Sequence, residues 1–167
     1  IGVGLVGSEM CIRDRHLGDI MDRRKYVSYR TVKEFREKFI QRFVELGIEL
    51  HVLVGNHDTY FKNTNEVNSV TELIGDRYDN IKIYEEAQEV KFDDLSILFV
   101  PWINASNHAS TLKKIEQSRA DICMGHLEIA GFEMMKGMKS EHGYDKSIFT
   151  KFDSVFSGHF HHKSDDG

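Results

Sequence analysis

The stretch His51-Val52-Leu53-Val54-Gly55-Asn56-His57-Asp58 runs an apolar segment into a glycine and then into three residues able to bind metals or move protons. The same construction recurs at Ile122-Cys123-Met124-Gly125-His126 and at Val155-Phe156-Ser157-Gly158-His159-Phe160-His161. A shorter form stands at His16-Leu17-Gly18-Asp19. Glycine lets a backbone turn sharply and approach a site closely, and open α/β sheets place their sites beyond the carboxyl ends of strands. Imidazole nitrogen with carboxylate and amide oxygen suits manganese, iron or zinc, and no matching cysteine cluster points to a structural zinc. The pattern therefore predicts a catalytic metal site.

Positioning these groups requires strands that end together and helices that cover them. After Asp19-Ile20-Met21-Asp22 and the basic cluster Arg23-Arg24-Lys25, a helix is expected from about Thr31, with Thr31-x-x-Glu34 as a capping box. Val32, Phe35, Phe39, Phe43 and Leu46 recur at helical spacing as one apolar face, and Gly47 ends the helix. Strand Glu49–Val54 leads into the central motif, Asn63–Asn68 reads as a polar loop, and a short helix lies around Val70–Ile74. Ile81–Tyr84 reads as a strand, and Glu89–Phe92 with Ser96–Val100 makes a hairpin through Asp93-Asp94. A helix over Ala109–Ser118 returns the chain to strand Asp121–Met124, and Gly131–Gly143 connects to the last strand. This βαβ pattern predicts an α/β fold.

The chain has 167 residues, 40% hydrophobic and 29% charged, which suits one soluble globular domain with a substantial core. No apolar run approaches the roughly 20 residues that cross a bilayer, so no membrane span is expected. A net charge of −5 argues against a broadly basic surface, although a local basic rim at a metal site could hold phosphates. Two cysteines, Cys11 and Cys123, imply no disulfide framework. A reducing, cytoplasmic setting in a bacterial cell or phage-infected host is expected. Residues 1–15 carry no clear period and resemble translated sequencing-adapter read-through, so they are expected to be non-native, with 16–167 forming a partial domain.

Taken in order, Gly18-Asp19-x-x-Asp22, Gly55-Asn56-His57-Asp58, Gly125-His126 and Gly158-His159-x-His161 resemble the calcineurin-like metallophosphoesterases over nearly all of residues 16–162. Gly18–Lys25, Leu53–Asp58, Pro101-Trp102 and Lys136-Gly137-Met138-Lys139-Ser140 are closer still to the SbcD-like nuclease subunits, including those of T-even-type phages. The resemblance implies a β-sandwich flanked by helices, and metal-dependent phosphodiester hydrolysis by a DNA exonuclease or endonuclease subunit in recombination or repair. It makes Asp19 the carboxylate bridging two divalent ions, taken as manganese, with Asn56, His126 and His159 completing one ion and His161 belonging to the other. His57 would be the non-ligand imidazole that contacts the scissile phosphate and stabilises the leaving oxygen, with Asp58 orienting it. Hydroxide would attack phosphorus between ions about 4 Å apart. An SbcC-type ATPase is the implied partner beside DNA, and a homodimer is left open.

That family also carries an Asp-x-His on its first strand, which this chain lacks. Asp14-Arg15-His16 spells those letters but stands directly before Gly18-Asp19, so it is not expected to serve. The fragment is therefore expected to lack its first and carboxyl-terminal strands, and to be impaired. His51, His108 and His162 are expected to be structural, His16 to pack, His142 to face solvent, and Trp102 and the Phe35, Phe39 and Phe43 stripe to be core. Asp165-Asp166 reads as a frayed end. Arg23, Arg24 and Lys25 follow a metal ligand closely, so they are candidate DNA contacts. Two other functions compete: a small metallophosphatase, which Gly18-Asp19-x-x-Asp22-Arg23 also resembles, and a non-catalytic subunit that binds an ATPase.

Overall fold

The computed structural model describes residues 13–135 and 137–160. These form two layers of sheet with helices on the outer faces. In the first sheet β1 (Arg13–His16), β2 (Glu49–Leu53) and β3 (Ile81–Tyr84) run parallel in that order, with His16 opposite Val52 and Leu53 opposite Tyr84. Three residues of the stretch expected to be non-native, Arg13–Arg15, thus lie in β1 beside His16. The second sheet has the order β4 (Gln88–Phe92), β5 (Leu95–Val100), β6 (Ile122–Gly125) and β9 (Ser154–Ser157). Only the β4–β5 hairpin in it is antiparallel. Its turn places Asp93 at φ 52°, a left-handed conformation that Asp tolerates better than most side chains. Between β6 and β9, β7 (Glu133–Met135) and β8 (Met138–Lys139) form a small separate hairpin within the expected connection.

Strand alternation sorts β2 between two cores. Leu50, Val52 and Val54 face the helices, where they pack with Ile40, Val70, Ile74 and the Phe35, Phe39 and Phe43 rings. His51 and Leu53 face the second sheet, among Tyr84, Phe92, Ile97 and Phe99. A third core lies on the far side of the second sheet, where Leu98, Val100 and Cys123 meet Ile115 of α4 (His108–Gln117). The fold is thus a sandwich of two sheets, each covered by helix.

His51 is structural, as expected, and only 2% exposed. Its Nδ1 meets the Tyr84 hydroxyl at 2.7 Å and its Nε2 meets Glu49 Oε1 at 2.7 Å. Burial holds this imidazole below the ordinary histidine value, against the pull of the Glu49 carboxylate in the other direction. Burial also pushes the Tyr84 hydroxyl and the Cys123 thiol each up to about 12. Cys123 is an inert core residue.

The first helix differs from expectation in two ways. It begins two residues early, as α1 (Tyr29–Phe35), because Ser28 rather than Thr31 is the cap: Ser28 Oγ accepts from Thr31 N at 3.1 Å. It then passes through a π-helical turn over Arg36–Ile40 before α2 (Gln41–Leu46), which ends at Gly47 with φ 63°. A π turn takes in an extra residue and so rotates the faces beyond it. Ile40 becomes buried, while Leu46, expected on the apolar face, is exposed. Likewise, the polar loop Asn63–Asn68 is not simply solvated. Asn65 and Asn68 are buried before α3 (Ser69–Leu73), and Asn65 Nδ2 donates to the Glu85 and Trp102 carbonyls. Among the described residues no helix is long and apolar enough to cross a membrane.

Candidate metal centre

Parallel pairing puts the carboxyl ends of β1 and β2 at one edge of the first sheet, and those of β6 and β9 at one edge of the second. Trp102 N donates to the Val54 carbonyl at 2.8 Å, joining the two edges. At this seam Asp19, Asn56, His126 and His159 come together. His126 Nε2 lies 2.8 Å from Asn56 Oδ1 and 3.2 Å from Asp19 Oδ2. His159 Nδ1 lies 3.1 Å from Asn56 Oδ1 and 3.2 Å from His126 Nε2. One ligand atom each from Asp19, His126 and His159 falls within 4.8 Å of the others.

The hydrogen-bond directions show what this cluster can hold. His126 Nδ1 is 2.7 Å from the Leu17 carbonyl, which can only accept, so Nδ1 must carry the proton. In the neutral ring Nε2 then presents a bare lone pair to the Asn56 oxygen and the Asp19 carboxylate. Acceptors aimed at an acceptor repel unless a cation lies among them. The donor set, one anionic oxygen, one neutral oxygen and imidazole nitrogens, therefore fits a divalent metal ion.

Asp19 is held in a conformation that few side chains adopt, φ 57°, directly after Gly18 at φ 94°. Its N–H donates to Asp58 Oδ2 at 2.8 Å, and its Oδ1 accepts from His57 N at 2.7 Å. Gly55 is needed for space. A Cβ there would run into Asp19 N and Oδ1 and lie 2.9 Å from Gly18 C.

Asp58 does not orient His57 as expected. It is fully buried and accepts from Gly55 N (2.9 Å), Asp19 N (2.8 Å), Met21 N (3.0 Å) and Ser69 Oγ (3.2 Å). It thus clasps both ligand-bearing turns to each other, and burial pushes its carboxyl up despite these donors. His57 is oriented instead by the Asp22 carbonyl, which accepts from Nδ1 at 2.8 Å and leaves Nε2 facing away from that bond. Only the fold reveals the Asp58 partners Met21 and Asp19, 37 and 39 residues away.

Trp102 was expected to be core; it is instead only half-buried, and it walls the centre. Its ring centroid lies 5.3 Å from that of His159 and 6.1 Å from that of His126. Its carbonyl accepts from Asn65 and Asn107, which fixes it. His161, expected at a second ion, lies outside the described residues, as do His162, Asp165 and Asp166. Asp14 is exposed, while His16 packs edge-on to Phe39 at 6.4 Å. Of the basic cluster, Arg24 Nη1 donates to Thr59 Oγ1 at 3.1 Å, while Arg23 and Lys25 are exposed.

A family model described as calcineurin-like phosphoesterase matches residues 16–163. The chain is also 41% identical over 144 residues to a protein named Exonuclease subunit 1 from Enterobacteria phage T4, across 86% of this chain and 42% of that protein. The chain therefore spans less than half the length of this relative.

Proposed function

The chain belongs to the calcineurin-like phosphoesterase family, and from that premise we propose that it hydrolyses phosphodiester bonds of DNA as the nuclease subunit of a recombination or repair assembly. The observation that supports this most is the His126 ring, whose proton is committed to Leu17 and whose lone pair faces Asn56 and Asp19. Asp19, Asn56, His126 and His159 are assigned as ligands of one divalent ion, manganese in our reading. An ion there would polarise the phosphoryl oxygens and lower the pKa of water. With Asp19 the single charged ligand in the set, the loaded centre stays positive enough to attract a phosphodiester.

The chain's own groups do the rest. Asp58 holds the Gly55 and Asp19 turns so that the ligand atoms need no rearrangement. His57, with its Nδ1–H donated to Asp22 O, presents Nε2 as the atom that gives a proton to the leaving oxygen from the doubly protonated ring, which the transfer leaves neutral. Trp102 keeps water from one side of His159. We assign His161 to a second ion on the sequence pattern, with Asp19 shared between the two. The assembly partner is assigned as an SbcC-type ATPase, consistent with the word "subunit" in the phage relative's name.

Calorimetric titration with manganese, together with hydrolysis of bis(p-nitrophenyl) phosphate, p-nitrophenyl phosphate and an oligonucleotide, tests the proposal. Manganese-dependent cleavage of the diester and the oligonucleotide is expected, with metal affinity falling at least 10-fold in Asp19→Asn. Cleavage of the monoester alone would make the protein a phosphatase, and absence of manganese binding would end the proposal.

A further inference from the structure

The loops that leave Asp19 and Asn56 carry exposed aromatic rings and cations with no role in the metal centre. Tyr60 and Phe61 are 40% and 48% exposed and meet edge to face at 4.7 Å. Lys25 Nζ stands 5.0 Å from the Tyr60 ring centre. Tyr26, 81% exposed, and Arg23 wall an adjoining cleft of about 480 Å3 that begins at Met21 and Asp22. The two loops are pinned to each other near the centre, by His57 Nδ1 to Asp22 O at 2.8 Å and by Arg24 Nη1 to Thr59 Oγ1 at 3.1 Å. Tyr60 is four residues past Asn56, so even a fully extended chain puts it within roughly 14 Å. At about 3.4 Å per nucleotide along a strand, that is about four nucleotides.

We propose that Tyr26, Tyr60 and Phe61, with Arg23 and Lys25 between them, form a stacking surface for unpaired nucleotides next to the scissile phosphate. The proposal rests on the nuclease reading for calling this strand the substrate. Rings can stack only on bases whose faces are open, and in a duplex those faces are covered except at the ends, so the surface selects single-stranded or frayed DNA. Cations interleaved with aromatic rings are what a phosphate backbone with splayed bases requires. A second copy of the chain is the less suitable occupant. Protein–protein interface cores are depleted of lysine, whereas nucleic-acid interfaces are rich in positive charge. Arg23 is 79% exposed, and its nearest acid, Asp22, lies 3.9 Å away.

The test is fluorescence anisotropy with a labelled thymidine 12-mer and with a blunt duplex of equal length, in EDTA so that neither is cut. The chain is expected to prefer the single strand. Tyr60→Ala/Phe61→Ala should raise the single-strand Kd at least 10-fold, at several-fold or more per lost stack, and the duplex Kd less than 3-fold. Phe61→Trp should keep single-strand affinity, which separates loss of stacking from local disruption. Equal weakening for both ligands, or no weakening, overturns the proposal. So does a change in sedimentation showing that the substitutions break a dimer instead. Failure of the unsubstituted chain to hydrolyse bis(p-nitrophenyl) phosphate with manganese would remove the nuclease reading and leave the binding result standing.

Discussion

Replacing Gly55 by alanine adds one methyl group at the point where the two ligand-bearing turns touch. The added carbon would run into the backbone nitrogen and a carboxylate oxygen of Asp19. It would also lie 2.9 Å from Gly18 C, 0.5 Å short of the 3.4 Å at which ordinary contact begins. None of these atoms is the end of a flexible chain, because Asp19 is tied to Asp58 and to His57 N. The turns must therefore part, by half an ångström or more, and carry Asp19 away from His126. A misplacement near 1 Å costs about 10²-fold in rate, so hydrolysis of bis(p-nitrophenyl) phosphate should fall about 10- to 100-fold, with manganese affinity falling in step. Overpacking of this kind costs about 1–3 kcal/mol, which for this chain length lowers Tm by about 2–12 °C. Gly47→Ala is the control: nothing lies within 4 Å of the added carbon, and only the strained φ of 63° is affected. It should lower Tm modestly and leave hydrolysis unchanged. Manganese affinity within 2-fold of the parent in Gly55→Ala would refute the reasoning.

Further predictions follow from the same geometry. Asp58→Asn turns an acceptor of three backbone N–H groups into a group that is partly a donor, so Tm should drop by several degrees in a thermal melt and manganese affinity about 10-fold. Trp102→Ala removes the ring beside His159 and should weaken manganese binding by about 10-fold in calorimetry, with little change in the far-UV circular dichroism. His51 is held neutral by burial, with its folded pKa below the ordinary value of about 6.5. As pH falls through that value the unfolded chain takes up a proton that the folded chain does not, so stability is full above it and declines below it. Unfolding free energies from urea titrations between pH 7 and pH 5 should fall, by up to about 1.4 kcal/mol per pH unit for this one group. His51→Phe should flatten that slope.

Asp19, Asn56, His126 and His159, which meet at the seam, could be picked out because an apolar run, a glycine and a polar group are adjacent in the chain, and that local order fixes a strand, a turn and a group at its end. Ile81–Tyr84 and the Asp93-Asp94 hairpin could be read for the same reason, and so could the helix stop at Gly47. Less was legible where a choice depended on distant packing. Ser28 displaced Thr31 as the helix cap, and a π turn buried Ile40 while exposing Leu46. The asparagines of an apparent polar loop turned inward, where Asn65 Nδ2 donates to the Glu85 and Trp102 carbonyls 20 and 37 residues away.

From the sequence alone came the kinds of atoms that meet and the strand ends that carry them, since covalent spacing determines both. Which way those atoms point was decided only by the tertiary structure. The bond from His126 to the Leu17 carbonyl, across 109 residues, selects which nitrogen is bare, and Asp58 acts on backbone groups rather than on its neighbour His57. Such directions are set by hydrogen-bond acceptors brought close by the packing of two sheets, and no local pattern encodes them.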